Sequence, residues 1–179
     1  MRKPLIFAVS VLLSSPSFAA DFSLTSDSVV NGQPISNTFF ANQFGCDGSN
    51  EVPDLSWNNV PQGTKSFALT YFDMDAPTGS GFWHWSVFDI PGNVTHINGG
   101  INGGKLPVGT VEGKTDVGAK GFIGSCPQIG EVHRYQWKLT ALDVAKLPVD
   151  SNATPQIVAL TVLAHKIDDV TLTVLAGRK

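Results

Sequence analysis

The segment FDMDAPTGSGFWHWSVFDIPG, residues 72–92, places Asp73 and Asp75 ahead of a glycine-rich turn and His84 between Trp83 and Trp85 just after it. Carboxylates and imidazoles share protons near neutral pH, so this pairing across a turn has four chemical uses. It can be a structural polar pair, half of a metal site, a catalytic dyad or one wall of an anion pocket. A lone imidazole between aromatics is equally suited to be a satisfied core residue. Asp75 is suited to accept hydrogen bonds from nearby turn N–H groups.

A second segment, GSCPQIGEVHRYQW at residues 124–137, carries complementary groups. A Gly-Ser-Cys-Pro turn leads through a loop into an extended run in which His133 and Tyr135, two residues apart, share one face. Arg134 points the other way and suits a structural salt bridge. If the strand ends meet, one pocket gathers a carboxylate, two imidazoles, a phenol and a turn of backbone N–H groups. Such a pocket can hold an anion without Lys or Arg. Asp73 would then orient a histidine and favour its imidazolium form. Ser125 lies in a turn that is not a nucleophile elbow, and no other Ser or Cys nucleophile motif accompanies the histidines.

The elements that must position these groups read as strands. EVPDLSWNNV, SFALTYFDMD, FWHWSVFDI and RYQWKLTALD are rich in aromatic and β-branched residues and are separated by turn signals such as VPQGT, PTGSG and IPGN. Tyr135, Trp137, Leu139 and Ala141 alternate with Arg134, Gln136, Lys138 and Thr140, the period of a strand with one core face. SFALTYF is apolar on both faces and reads as a central strand. Trp83 and Trp85 read as core, and residues 98–107, NGGINGGKLP, as a surface loop. DSNATPQIVALTVLAHKID suits a helix capped by Thr154 with Pro155 in its first turn. Its expected apolar stripe is Ile157, Val158, Leu160, Val162 and Ile167. A closing strand, VTLTVL, follows. Together these runs indicate a β-sandwich or barrel-like domain with a late helix.

Residues 1–19 have the layout of a secretory signal peptide: Arg2 and Lys3, an apolar core from Leu5 to Leu13, and small Ser17 and Ala19 before the cleavage point. That apolar core is too short to span a bilayer comfortably, so no stable membrane anchor is expected. Loss of Arg2 and Lys3 takes the formal charge from −3 to −5. An acidic chain without basic clusters does not suit nucleic acid or anionic lipid. Residues 20–179 suffice for one domain. In an exported chain the two cysteines, Cys46 and Cys126, are expected to form a disulfide; the alternative is two free buried thiols.

DMDAP, WHW, GSCP and HRYQW, in that order and with FGCDGSN and VPQGTKSFAL before or between them, resemble the phosphatidylethanolamine-binding protein family, which includes the Raf kinase inhibitor proteins. The signal peptide and compact length resemble the family's exported bacterial members. The resemblance implies a mainly β, antiparallel sandwich-like domain with a large central sheet, a smaller second sheet and a C-terminal helix. It also implies a shallow anion pocket built from Asp73, His84, Gly124, Cys126, Pro127, His133 and Tyr135. The chain departs from the family pattern in three places: Met74 and Gln128 stand where prolines are usual, and Gly79, Ser80 and Gly81 stand where mammalian members have a tyrosine that contacts phosphate.

The function expected is therefore a periplasmic or secreted binding protein, not an enzyme. Its ligand is a small anionic or phosphorylated molecule, and it modulates a partner protein without metal or cofactor. The competing readings are a protease inhibitor, a His/Asp-based hydrolase, and a metal enzyme using Asp73, His84 and His133.

Overall fold

The computed structural model describes residues 20–179. The expected signal peptide, residues 1–19, lies outside the described residues. Three strands, β1 (Ser23–Thr25), β2 (Glu51–Val52) and β3 (Leu55–Asn58), precede the long β4 (Ser66–Asp73) and β5 (Phe82–Pro91). The short β6 (His96–Ile97), β7 (Gly100–Ile101) and β8 (Val111–Glu112) follow, then β9 (Val132–Leu142), helix α1 (Pro155–His165) and β10 (Lys166–Gly177).

The large sheet is antiparallel in the order β10-β9-β4-β5-β8; a smaller sheet, β1-β3-β6, packs on it, and β2 pairs with β7. This is the mainly β domain with a large central sheet, a smaller second sheet and a C-terminal helix expected from the sequence, with the β2-β7 pair as a third, two-stranded sheet. SFALTYF forms β4 at the centre of the large sheet, buried along most of its length. The alternation in RYQWKLTAL holds: Tyr135, Trp137, Leu139 and Ala141 are fully buried between the sheets. Tyr71 stacks on Trp137 at 4.1 Å between ring centres, and Trp57 packs edge-on to Phe67. Large rings of this kind supply most of the burial in a core this size.

Two expectations need correction. The loop at residues 98–107 contains β7, because Gly100–Ile101 pairs with Glu51–Val52. The helix is capped as read, with Thr154 Oγ1 accepting the Ile157 N–H, but its stripe is different. Val158 and Val162 face inward against Phe88, Leu142 and Leu147. Ile157, Leu160 and Leu163 face outward, and Ile167 belongs to β10. Apolar residues fill the helix on all sides, so periodicity could not choose its buried face. No helix among the described residues is long and apolar enough to cross a membrane.

Candidate functional site

Register places the polar groups. Asp73, the last residue of β4, lies opposite Tyr135 of β9. Side chains two apart share a face, so His133 sits diagonally from Asp73 on the core side. His84 arrives by a different route. Tyr71 pairs with Trp85 and Phe72 with Trp83, leaving His84 as the extra residue of a β-bulge. A bulge turns a side chain from the face that strict alternation would give it. Here it brings the imidazole against Phe82, Tyr135 and Tyr71, with ring centres 4.9, 5.2 and 5.8 Å away.

Asp73 and His133 are both buried, and Asp73 Oδ2 lies 2.8 Å from His133 Nδ1. The other carboxylate oxygen, Oδ1, accepts the backbone N–H of Asp75 at 2.9 Å. On its far side His133 Nε2 meets Oε2 of Glu131 at 2.7 Å. An imidazole with a carboxylate on each nitrogen satisfies both bonds as donor only when it is protonated. Burial works against that charge, but hydrogen bonds and charge from Asp73 and Glu131 outweigh it and raise the His133 pKa.

His84 behaves oppositely. Burial pushes its pKa down to about 4, more than the nearby Asp73 charge and the Ile123 carbonyl can offset. Its Nδ1 lies 3.1 Å from the Ile123 carbonyl oxygen, which only accepts. The neutral ring is therefore the Nδ1–H tautomer, with a lone pair on Nε2.

A cavity of about 290 Å³ opens beside these groups, lined on its polar side by Asp73, His84, His133, Thr78 and Gln128. The rest of its wall is largely apolar and includes Phe44, Phe82, Val117 and Ile123. Phe44 sits in a loop held by the Cys46–Cys126 disulfide, formed as expected, with Cα atoms 5.9 Å apart. Arg178 ties the two disulfide-linked segments together, donating to the Gly45 and Pro127 carbonyls.

Four of the seven expected site residues, Asp73, His84, Cys126 and His133, line this cavity, whereas Gly124, Pro127 and Tyr135 stand behind it. The turn does not offer its N–H groups. Gly124 N–H donates to Asn50 Oδ1 at 2.7 Å, Ser125 N–H to the Phe39 carbonyl at 3.2 Å, and Cys126 N–H to the Tyr135 hydroxyl at 3.1 Å. Tyr135 is fully buried, and burial with the facing Asp73 carboxylate strongly raises its pKa. The phenol thus supports the turn.

Asp75 has a structural role, though not with the turn: it takes the Arg134 backbone N–H at 2.8 Å and pairs with the guanidinium at 2.6 Å. Hydrogen bonding from Arg134 holds its carboxyl down at about 2. Trp85 is core, and Trp83 packs on Phe72. Among the described residues no three of His, Cys, Asp or Glu converge as metal ligands.

Glu131 was not singled out from the sequence. The signal was available, since Glu131 and His133 are two apart on an extended chain. Phe44 could be inferred only once its neighbour Cys46 was tied to Cys126.

Comparison with known proteins agrees with this architecture. The family model described as phosphatidylethanolamine-binding protein matches residues 25–176. The UPF0098 protein YbcL of Escherichia coli K12 is 42% identical over 177 residues, covering 97% of each chain. YbhB of the same organism is 37% identical over 85% of this chain and 98% of its own. The crystal structure of E. coli YbcL, described as a new member of the mammalian PEBP family, superposes with a TM-score of 0.85 at 43% identity. That match covers 89% of this chain and all of the other. A phosphatidylethanolamine-binding protein homolog from Chlamydia trachomatis gives 0.76 at 26% identity, covering 88% of this chain and 98% of its own.

Proposed function

The chain belongs to the phosphatidylethanolamine-binding protein family, and on that premise we propose that it is an exported binding protein, not an enzyme, for a small ligand with an acidic head and an apolar body. The observation that carries this reading is His133 on the wall of a mostly apolar cavity, with a carboxylate bonded to each ring nitrogen, an arrangement that an imidazolium satisfies as a double donor. The head, a phosphate or phospho-headgroup, pairs with that imidazolium; the body packs among Phe44, Phe82 and Ile123. His84 contributes a neutral lone pair, which suits a hydroxyl or ammonium on the ligand rather than its negative charge. The liganded state then modulates a partner protein.

Binding is favoured over hydrolysis by Ser125. Its hydroxyl is buried and shared with the Tyr71 hydroxyl at 2.6 Å, out of reach as a nucleophile for His133. Export to the periplasm or medium is supported by the N-terminal pattern, and the disulfide is compatible with an oxidising compartment.

Calorimetry with phosphate, phosphoethanolamine and phenyl phosphate at fixed ionic strength tests the reading. His133→Ala should weaken binding by about 1.5–3 kcal/mol, the range for a hydrogen bond to a charged group. Equal affinity in wild type and His133→Ala would overturn it.

A further inference from the structure

Helix α1 covers only part of the outer face of the large sheet. Val158 and Val162 close over Phe88, Leu142 and Leu147, and beyond them a groove of about 230 Å³ runs between helix and sheet. Small residues leave this space: Ala68 pairs with Thr140 and Thr70 with Lys138 across β4 and β9, and Ala159 lines the groove from the helix. Val162 and Leu163 form an apolar wall, and Trp83 of β5 completes it. Trp83 is half-buried, whereas Trp57, Trp85 and Trp137 are fully buried in the core.

Two polar features point to a ligand. Thr140 lines the groove and is 3% exposed, yet its hydroxyl has no hydrogen-bond partner among the described residues. At the mouth, Lys138 and Lys166 share one carboxylate, Asp169 Oδ2, at 3.2 and 2.8 Å. Two ammonium groups against one carboxylate leave an excess positive charge. The other acids near the helix and sheet do not cancel it. Asp168 lies opposite Ala141 and lines a recess with Ala20 instead. Asp116 is taken by the Trp83 N–H and Gln156, and the exposed Asp143 pairs with His165. The negative end of the α1 dipole offsets about half a charge, so the balance stays positive.

We propose that this groove is a second ligand site, for a small monocarboxylate with a short aliphatic body. The carboxylate pairs with Lys138 and Lys166, and the body lies among Val162, Leu163 and Trp83. Thr140, opposite Asp169 in register, gives the head a further donor. The single excess charge suits a monoanion. The groove is smaller than the roughly 300–1,000 Å³ of sites for drug-sized ligands, so the body is short. The site is distinct from the cavity at His133: Trp83 lines the groove, while its neighbour His84 lines the cavity. The proposal therefore stands apart from the anion-binding reading above.

The test titrates hexanoate and hexanol, which share a body and differ in head, into methyl-labelled mature protein at neutral pH and fixed ionic strength. NMR follows the Val162 and Leu163 methyls in the groove and the Ile123 methyls in the cavity, and Trp83 fluorescence gives a second readout. Hexanoate should shift Val162 and Leu163 saturably, with affinity on the order of millimolar, the scale for a ligand of this size. Hexanol should bind the groove more weakly. Lys138→Met and Lys166→Met keep the apolar stems and should each weaken hexanoate by up to about fivefold, the range for a half-exposed ion pair, leaving hexanol unchanged. Ala159→Phe fills the groove and should abolish the Val162 and Leu163 shifts. The lysine variants keep the test decisive if Ala159→Phe does not fold. Equal groove binding of hexanol and hexanoate, or hexanoate binding indifferent to both lysines, overturns the proposal. So does a shift confined to Ile123, which would place the acid in the cavity, or no shift at all. Shifts of Val162 and Leu163 on dilution without probe would show a second copy covering this face, and would overturn it too.

Discussion

Asp73 is bonded to His133, 2.8 Å away across the sheet, and not to His84, which follows it closely in the sequence. The two histidines therefore have opposite electrostatic fates. His133 is held as imidazolium with its pKa raised; its charge is present below the ordinary value of 6.5 and is lost as pH rises through the higher folded value. Anion affinity should follow that charge, persisting above the pH at which an ordinary histidine loses it and falling as pH rises further. Asp73→Asn removes the buried negative charge, which typically moves a partner's pKa by roughly 1–3 units. The affinity loss should then begin at correspondingly lower pH while the fold persists. Calorimetry across pH 5–9, with NMR titration of the His133 ring, reads this directly. An unchanged pH midpoint in Asp73→Asn would refute it.

His84 gives the opposite pH dependence of stability. Its folded pKa of about 4 lies below the ordinary histidine value of 6.5, so the unfolded chain binds the proton more readily. Between those values the unfolded state gains protons as pH falls, and the native state loses stability. The shift corresponds to roughly 3 kcal/mol lost between about pH 6.5 and 4. His84→Gln keeps an amide in place of the ring and removes the titration. Denaturant midpoints should fall more steeply with acid in wild type than in the variant; parallel curves would show that His84 carries no such penalty.

Much of this arrangement was legible in the sequence because strand alternation and turn chemistry are local. Tyr135, Trp137, Leu139 and Ala141 declared their buried face, and the placement of His133 beside Tyr135 followed from it. What stayed hidden was set by long-range contacts. The bulge at His84 exists only through its pairing with Tyr71 and Phe72. The N–H groups at Gly124–Cys126 looked like anion donors, but Asn50, Phe39 and Tyr135 had already taken them. Asn50 does this from a left-handed conformation, φ 55°, that no local pattern announced. The helix face was illegible because α1 carries apolar residues all round.

Gly124 shows what that rearranged turn requires. A Cβ there would lie 2.6 Å from Ala41 N and from the Phe39 carbonyl oxygen, a backbone approach that no side-chain movement relieves. Gly124→Ala should therefore cost about 1–3 kcal/mol or more through overpacking. It should also disturb the cavity wall at Ile123 and Cys126, although Gly124 lines no part of it. Thermal unfolding and phosphate affinity should fall together in this variant. A stable Gly124→Ala protein with normal binding would show that the 39–41 segment can yield.

The disulfide couples stability to the cavity more strongly. Cys46 and Cys126 are 80 residues apart, and closing a loop of that length contributes about 4.5 kcal/mol in the chain-entropy model. At about 2–4 °C per kcal/mol for a domain of this size, reduction should lower the unfolding midpoint by roughly 9–18 °C. The local effect is separate. Cys46 anchors the loop that carries Phe44, one apolar wall of the cavity, and Phe44 holds a left-handed backbone, φ 58°, that a free loop would abandon. Reduced protein, or the Cys46→Ala/Cys126→Ala variant, should bind phenyl phosphate more weakly even at temperatures where it is fully folded. Inorganic phosphate, which has no apolar body, should be affected less. Differential scanning calorimetry and binding at 15 °C, with and without reductant, separate the two effects. If both ligands lose affinity equally in the folded, reduced protein, Phe44 contributes nothing to recognition and the loop serves stability alone.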